Sequence, residues 1–186
     1  VNSHMRTNRR HIYAAGDWVG GYQFTHYAAW QGFMAVRNAY LPFNKKAVLE
    51  QVPWSTFTDP EVAHTGLTEA QARSRFGQGV MVCNWPLDQV DRALVERESS
   101  GFVKLIHKGN GTILGATIAA PRAGEMIQEW SLAIDQGLKI EALASSIHVY
   151  PSYATASMQA AAHIRVQQIL SGSIGRIVRG AARLAR

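Results

Sequence analysis

A single cysteine, Cys83, stands in 186 residues. That scarcity excludes an internal disulfide and leaves no Cys-x-x-Cys or Cys/His pattern for zinc. The seven histidines are scattered without ligand spacing, so no metal site is expected. No apolar run approaches the ~20 residues of a membrane span. The opening, VNSHMRTNRR, has no apolar h-region and is not read as a signal peptide. A reducing cytoplasm suits the lone thiol. Internal repeats and low-complexity tracts are missing too. No acidic residue lies beyond Glu141, whereas Arg176, Arg179, Arg183 and Arg186 supply four of the net +6 charges. The remaining body is mildly basic, with no basic face interleaved with aromatics, so nucleic-acid binding is not expected. A dinucleotide loop is absent as well. Gly109-x-Gly111-x-x-x-Gly115 is one residue too long for GxGxxG, and it precedes a strand where the fingerprint must open a helix.

What is present is globular. Hydrophobic residues make up 47% and charged residues 17%, and the length suits one or two domains. The chain is organised around His11 to Ala39. Ile12-Tyr13-Ala14-Ala15 reads as a buried strand, Gly16-Asp17 ends it, Val19-Gly20-Gly21 turns, and a helix runs from about Phe24 to Ala39. A strand, a carboxylate, a loop and a helix N-terminus together suit a phosphorylated or polyhydroxylated ligand. By spacing alone Asp17 either caps a turn or accepts two ligand hydroxyls.

Pro42 stops the first helix, and Lys45 to Gln51 reads as a linker. Strands are expected at Val52 to Thr58 and Val62 to Gly66. Thr68-Glu-Ala-Gln71 has the capping-box form, which predicts a helix to about Arg75. A strand over Val80 to Asn84 contains Cys83, read as a buried, inert thiol. Leu87 to Leu94 is ambiguous, with one helical turn as its reading. Gly101 to His107 and Thr112 to Ala119 are the clearest strands, joined by Lys108-Gly-Asn-Gly111 as a hairpin turn in which Asn and Gly supply positive φ. Ala123 to Gln136 is a helix with Met126, Ile127, Trp130, Ala133 and Ile134 on one face. Ile140 to Ser145 and Thr155 to Leu170 complete an α+β fold, an antiparallel sheet with helices packed on it. The divisions expected are 1–44, 45–170 and a basic tail, 171–186. In that tail Ile174, Ile177, Val178 and Leu184 oppose the arginines, which suits either a solvated helix on its own domain or an anionic membrane surface.

Arg6-Thr7 followed by His11-Ile-Tyr-Ala-Ala-Gly-Asp17 resembles the second flavin-binding motif of the pyridine nucleotide-disulfide oxidoreductases. Phe57-Thr-Asp-Pro-Glu-Val-Ala63, Gly66-Leu-Thr-Glu69, Asp91-Arg-Ala93, Gly101-Phe-Val-Lys104, Leu114-Gly-Ala116 and Gly124-Glu125 resemble, in order, landmarks of that family's dimerisation domain. The resemblance implies FAD and NAD(P)H as cofactors of the parent enzyme and a homodimer as its state. It implies that Asp17 holds the ribityl chain and that Gln23, Phe24, Thr25 and His26 line the isoalloxazine. The strand-loop-helix would then be a remnant of the FAD domain. The flavin loop, the redox cysteine pair and the NAD(P)H domain are not found here, so the chain is expected to be an inactive C-terminal part of a longer oxidoreductase. The alternative is a stand-alone dimerisation module without redox activity.

The departure sits at Ile147-His-Val-Tyr-Pro-Ser-Tyr-Ala-Thr155. Many relatives place an acid–base histidine where this chain has Tyr150, and its orienting glutamate where this chain has Thr155. His148 lies two residues early, on the face of Tyr150 if the segment is a strand. Tyr150 is therefore either a catalytic hydroxyl acting across the dimer, which resembles the mercuric-reductase branch, or a buried interface tyrosine. The interface is expected through Ala123 to Ala162, with Tyr153 in its buried patch.

Overall fold

The computed structural model describes residues 1–172, which fall into two compact units, Val1–Val52 and Pro53 onward. The features expected of the basic tail beyond Gly172 lie outside the described residues. No helix among the described residues is long and apolar enough to cross a membrane.

The first unit is built on α1, Thr25–Tyr40. The strand expected at Ile12 to Ala15 is reduced to one antiparallel bridge, Arg6 to Tyr13, and Ile12 is exposed. An apolar run becomes a strand only where a partner backbone accepts its hydrogen bonds. In this unit that partner is Met5 to Thr7 alone, with Ala14 N donating to Met5 O and Thr7 N to Ile12 O. Gly16–Val19 is a short 3-10 turn. Its entry needs glycine: Gly16 has φ 75°, and a Cβ there would stand 3.0 Å from the Ala28 Cβ on α1. Gly16 N donates to Gln31 Oε1 at 2.8 Å, which fixes the turn to the helix. The segment read as a linker is tied down instead. Asn38 donates to Lys45 O and His4 O and accepts from Lys45 N, and Ala47 is buried beside Met5, Met34 and Ala35. A side-chain amide can satisfy both polar groups of one passing residue, and that pairing is invisible in composition.

In the second unit the strands are β1, Trp54–Thr56; β2, Glu61–Gly66; β3, Val80–Pro86; β4, Phe102–Lys108; and β5, Ile113–Ala120. They form one antiparallel sheet in the order β1-β2-β5-β4-β3. Helix α2, Glu69–Phe76, starts on the expected capping box: Gln71 N donates to Thr68 Oγ1 and Thr68 N to Gln71 Oε1. It covers one face of the sheet, where Ala72 packs with Val80, Ile106 and Leu114. The ambiguous stretch holds a 3-10 turn, Leu87–Gln89, and a short helix α3, Asp91–Glu96. In the β4–β5 hairpin the positive φ falls on Gly111 rather than on Asn110.

The other face of the sheet carries the main core. Helices α4 (Ala123–Asp135), α5 (Ile140–Ser145) and α6 (Thr155–Ser171) supply its cover. Met126, Ile127, Trp130 and Ala133 are buried against Val103, Leu105 and Ile118, as the α4 pattern predicts. Trp130 has no exposed surface, and its Nε1 donates to Ser157 Oγ at 2.9 Å, so the indole keeps a partner inside. At the start of α4, Gly124 N donates to Glu61 Oε2 at 2.9 Å. A carboxylate at a helix N-terminus satisfies an orphan donor and complements the dipole. A Cβ on Gly124 would sit 3.3 Å from that oxygen, so two sequence landmarks 63 residues apart meet at one cap.

Candidate functional site

In the first unit Asp17 sits in the 3-10 turn with its side chain exposed. Its backbone oxygen accepts from Gly20 N, but its carboxylate caps nothing and has no partner among the described residues. Helix α1 begins at Thr25 after the extended residue Phe24, and no side chain caps it. Its first turn is therefore an uncapped positive dipole end. Tyr22, Phe24 and His26 stack in series, with centroids 6.1 and 5.3 Å apart and planes within 17°. Gln23, Thr25 and His26 are exposed around that stack. A cavity of about 640 Å³ in this unit is lined by Gly20, Gly21, Tyr22, Tyr27, Gln31 and Lys46 among others; Asp17, Gln23, Phe24, Thr25 and His26 do not line it.

In the second unit Ser146 to Ala154 is irregular, not a strand. His148 and Tyr150 accordingly reach different helices. His148 sets Nε2 2.8 Å from Glu129 Oε2 on α4 and Nδ1 3.2 Å from Ser146 O. Both ring nitrogens face oxygens, and the second carboxylate oxygen, Glu129 Oε1, is buried without a partner. Tyr150 donates its hydroxyl to Asp91 Oδ2 on α3 at 2.9 Å. That hydrogen bond, with the charge of the carboxylate, pushes the Tyr150 phenol above its usual range. Tyr150 is thus a neutral hydroxyl at pH 7. Thr155 donates to Ser152 O and starts α6.

Tyr153 departs from expectation. It is buried inside its own domain, in the main core, rather than in a surface patch for a partner. Its hydroxyl donates to Glu96 Oε2 at 2.7 Å, and burial followed by that bond pushes the phenol to about 12. Glu96 also accepts from Arg92 at 2.6 Å, and the two donors, Tyr153 first, hold its carboxyl below the usual range. The exposed apolar groups of the segment are Ile147 and Val149, 99% and 81% exposed, beside Tyr150 at 70%.

Cys83 is half-buried, and burial raises its thiol above the ordinary value, so it is a slow nucleophile that a maleimide still reaches at its open side rather than a fully buried, inert one. Among the described residues no group of three or more His, Cys, Asp or Glu is placed to hold a metal ion. Sequence reasoning missed Asp91, Glu96 and Glu129. Each is one more acid on an amphipathic helix until its tyrosine or histidine is brought to it from over 15 residues away.

Residues 52–161 match the family described as "Pyridine nucleotide-disulphide oxidoreductase, dimerisation domain". The mercuric reductase of Bacillus cereus is 40% identical over 151 residues, 81% of this chain and 24% of that protein. The dihydrolipoyl dehydrogenase of Bacillus subtilis is 38% identical over 164 residues, 87% of this chain and 34% of that protein. The chain thus spans about a quarter to a third of these relatives. Its fold matches the crystal structure of LpdA from Mycobacterium tuberculosis with a TM-score of 0.80 at 29% identity, covering 88% of this chain and 36% of that one. It also matches the HOCl-induced flavoprotein disulfide reductase RclA from Escherichia coli, with a TM-score of 0.80 at 28% identity, covering 87% and 38%. The sheet order, the paired landmarks at Glu61 and Gly124 and these matches agree: the chain belongs to the pyridine nucleotide-disulphide oxidoreductases, and residues 52–161 are their dimerisation domain.

Proposed function

We propose that this chain is the flavin-contact segment and the dimerisation domain of an FAD- and NAD(P)H-dependent oxidoreductase, mercuric-reductase-like, which works as a cytoplasmic homodimer. The observation that carries the reading is the pair Ile147 and Val149, nearly fully exposed on an uncharged segment of a dimerisation domain. An apolar surface of this kind is stabilised by a partner, and a two-fold axis makes each contact twice.

The first unit supports the flavin part. The Asp17 carboxylate is unpartnered and suits two ribityl hydroxyls, and the uncapped α1 N-terminus offers donors to an electron-rich ring edge. Gln23, Phe24, Thr25 and His26 are grouped at that helix start. Bound FAD supplies the two-electron chemistry and NAD(P)H the hydride. The chain's own part is to orient the flavin and, across the dimer, to present Tyr150. With its one hydrogen given to Asp91, Tyr150 presents the lone pairs of a neutral phenol oxygen, an acceptor and not a proton exchanger. His148 has both nitrogens engaged and acts by holding its segment to α4. Since Asp17 and the α1 start meet only part of a dinucleotide, the isolated chain binds FAD weakly and turns nothing over.

Light scattering at micromolar concentration tests the dimer. The wild type should have twice the chain mass, and Ile147→Asp with Val149→Asp should have the single mass with unchanged circular dichroism. A monomeric wild type overturns the homodimer, and a dimeric double variant overturns the assignment of the surface. Flavin fluorescence tests the rest: the purified chain should be colourless, and Asp17→Asn should weaken residual FAD quenching. A yellow, stoichiometric complex surviving gel filtration contradicts weak binding.

A further inference from the structure

Strand β3 is an edge of the sheet, and its register with β4 places Met81 opposite His107 and Cys83 opposite Leu105. These four share the face covered by α6. Between the strand and the C-terminal half of α6 lies a cavity of about 660 Å³. That size falls within the ~300–1,000 Å³ of small-molecule sites. Among the described residues its lining contains no Asp, Glu, Lys or Arg. Asn84, Gln167, Gln168 and Ser171 give the lining neutral polar groups; an ionic ligand would meet no counter-charge there to offset its lost hydration, so phosphates, carboxylates and ammonium groups are poorer occupants than neutral ones.

His107 forms the floor. It is 2% exposed, and its Nδ1 lies 3.0 Å from Lys108 O. A carbonyl only accepts, so Nδ1 carries the hydrogen and Nε2 presents a lone pair. Burial holds the ring's pKa below its usual value, which keeps it neutral. Nε2 has no hydrogen-bond partner among the described residues. The ring is part of the cavity's lining. At the rim the His163 ring leans on Trp85, centroids 5.4 Å apart at 50°, and offers an aromatic surface. Met81, Cys83 and Ile164 supply apolar and polarizable walls.

We propose that this cavity binds an uncharged aromatic molecule carrying one N–H or O–H donor, with the donor bonded to His107 Nε2 and the ring held between Met81 and His163. The site is built from residues of the second unit alone and does not depend on the redox reading. It takes a ligand of a different class from FAD or NAD(P)H, whose phosphates would find no counter-charge in its neutral lining.

Cys83 lines the cavity and is the only cysteine in the chain, so its alkylation by a maleimide reports occupancy. Indole is the probe and N-methylindole, which lacks the donor, its control. In the full chain, millimolar indole should slow Cys83 alkylation severalfold and shift the His107 Nε2 nitrogen resonance. N-methylindole should bind about tenfold more weakly, the discrimination of one buried hydrogen bond. His107→Leu should bind both equally. Should that variant fail to fold, the two probes and the nitrogen shift on wild type decide alone. Absence of protection by indole overturns the site, and equal protection by the two probes overturns the role of His107.

Discussion

Trp130 and Ile118 in the second unit have no exposed surface, while Trp18, Tyr40 and Phe43 in the first are 95%, 85% and 80% exposed. The first unit's own cluster is Met5, Met34, Ala35 and Ala47; the second closes a cluster running from Ala63 to Ile164 around its sheet. Apolar burial at roughly 25 cal/mol per Å² is the main favourable term in folding, and the first unit has little of it. Polar ties do more of the holding there: Asn38 to His4 and Lys45, Gln31 to Gly16, Arg6 to Tyr13. One unit is held by packing, the other by specific hydrogen bonds around a single helix. Their responses to perturbation should differ accordingly.

Trp130→Ala should break the contrast most. It empties the centre of the larger core and orphans Ser157, so a loss of about 3–5 kcal/mol is expected, read by urea unfolding followed by far-UV circular dichroism. Survival of the second unit with an unchanged midpoint would mean that its core is not where its stability lies. High pH should act on the same unit. The folded-state pKa of Tyr153 is raised from 10.0 to about 12, so the stability it lends is complete below pH 10 and is lost as pH rises through about 12. Tyr153→Phe should flatten that part of the urea midpoint-against-pH curve.

Hydrogen exchange sharpens the comparison further. Amides of α1 should exchange at lower protection than those of β4 and β5, and Asn38→Ala should lower protection in the first unit alone. Equal protection in the two units would erase the distinction. The smallest effect is expected for Thr68→Ala, which removes half of a capping box on α2 and should cost about 1 kcal/mol, measured as a shift of the second unit's urea midpoint.

The same contrast governs what the chain discloses as a sequence. In the second unit local rules and global packing agree. Thr68 to Gln71, the Lys108–Gly111 turn and the α4 stripe each depend on near neighbours, and the structure has all three. In the first unit the strand at Ile12 to Ala15 was legible only as an apolar run, because what decides a strand is a pairing partner elsewhere. The helix after Phe24 was legible because its apolar positions repeat locally. Among candidate site residues, an exposed carboxylate at Asp17 was legible from its place after a glycine. Asp91 and Glu129 were not, because their tyrosine and histidine lie 59 and 19 residues away. Tyr153 read as an interface residue because a sequence marks burial without saying against what. Its inward position follows from its hydroxyl reaching Glu96 on α3.

The sheet order also sets a timetable for synthesis. β2 pairs with β5, Glu61 opposite Ala120 and Gly66 opposite Gly115, whereas β4 and β5 join through a tight turn. On the ribosome β1 and β2 emerge with only three residue pairs between them and wait for β5. At about 5–20 residues per second the ~50 intervening residues take roughly 3–10 s to appear. For that interval Trp54 and Val62 are nascent-chain surface, and a chaperone that binds short apolar strands would meet this protein there before its sheet can close.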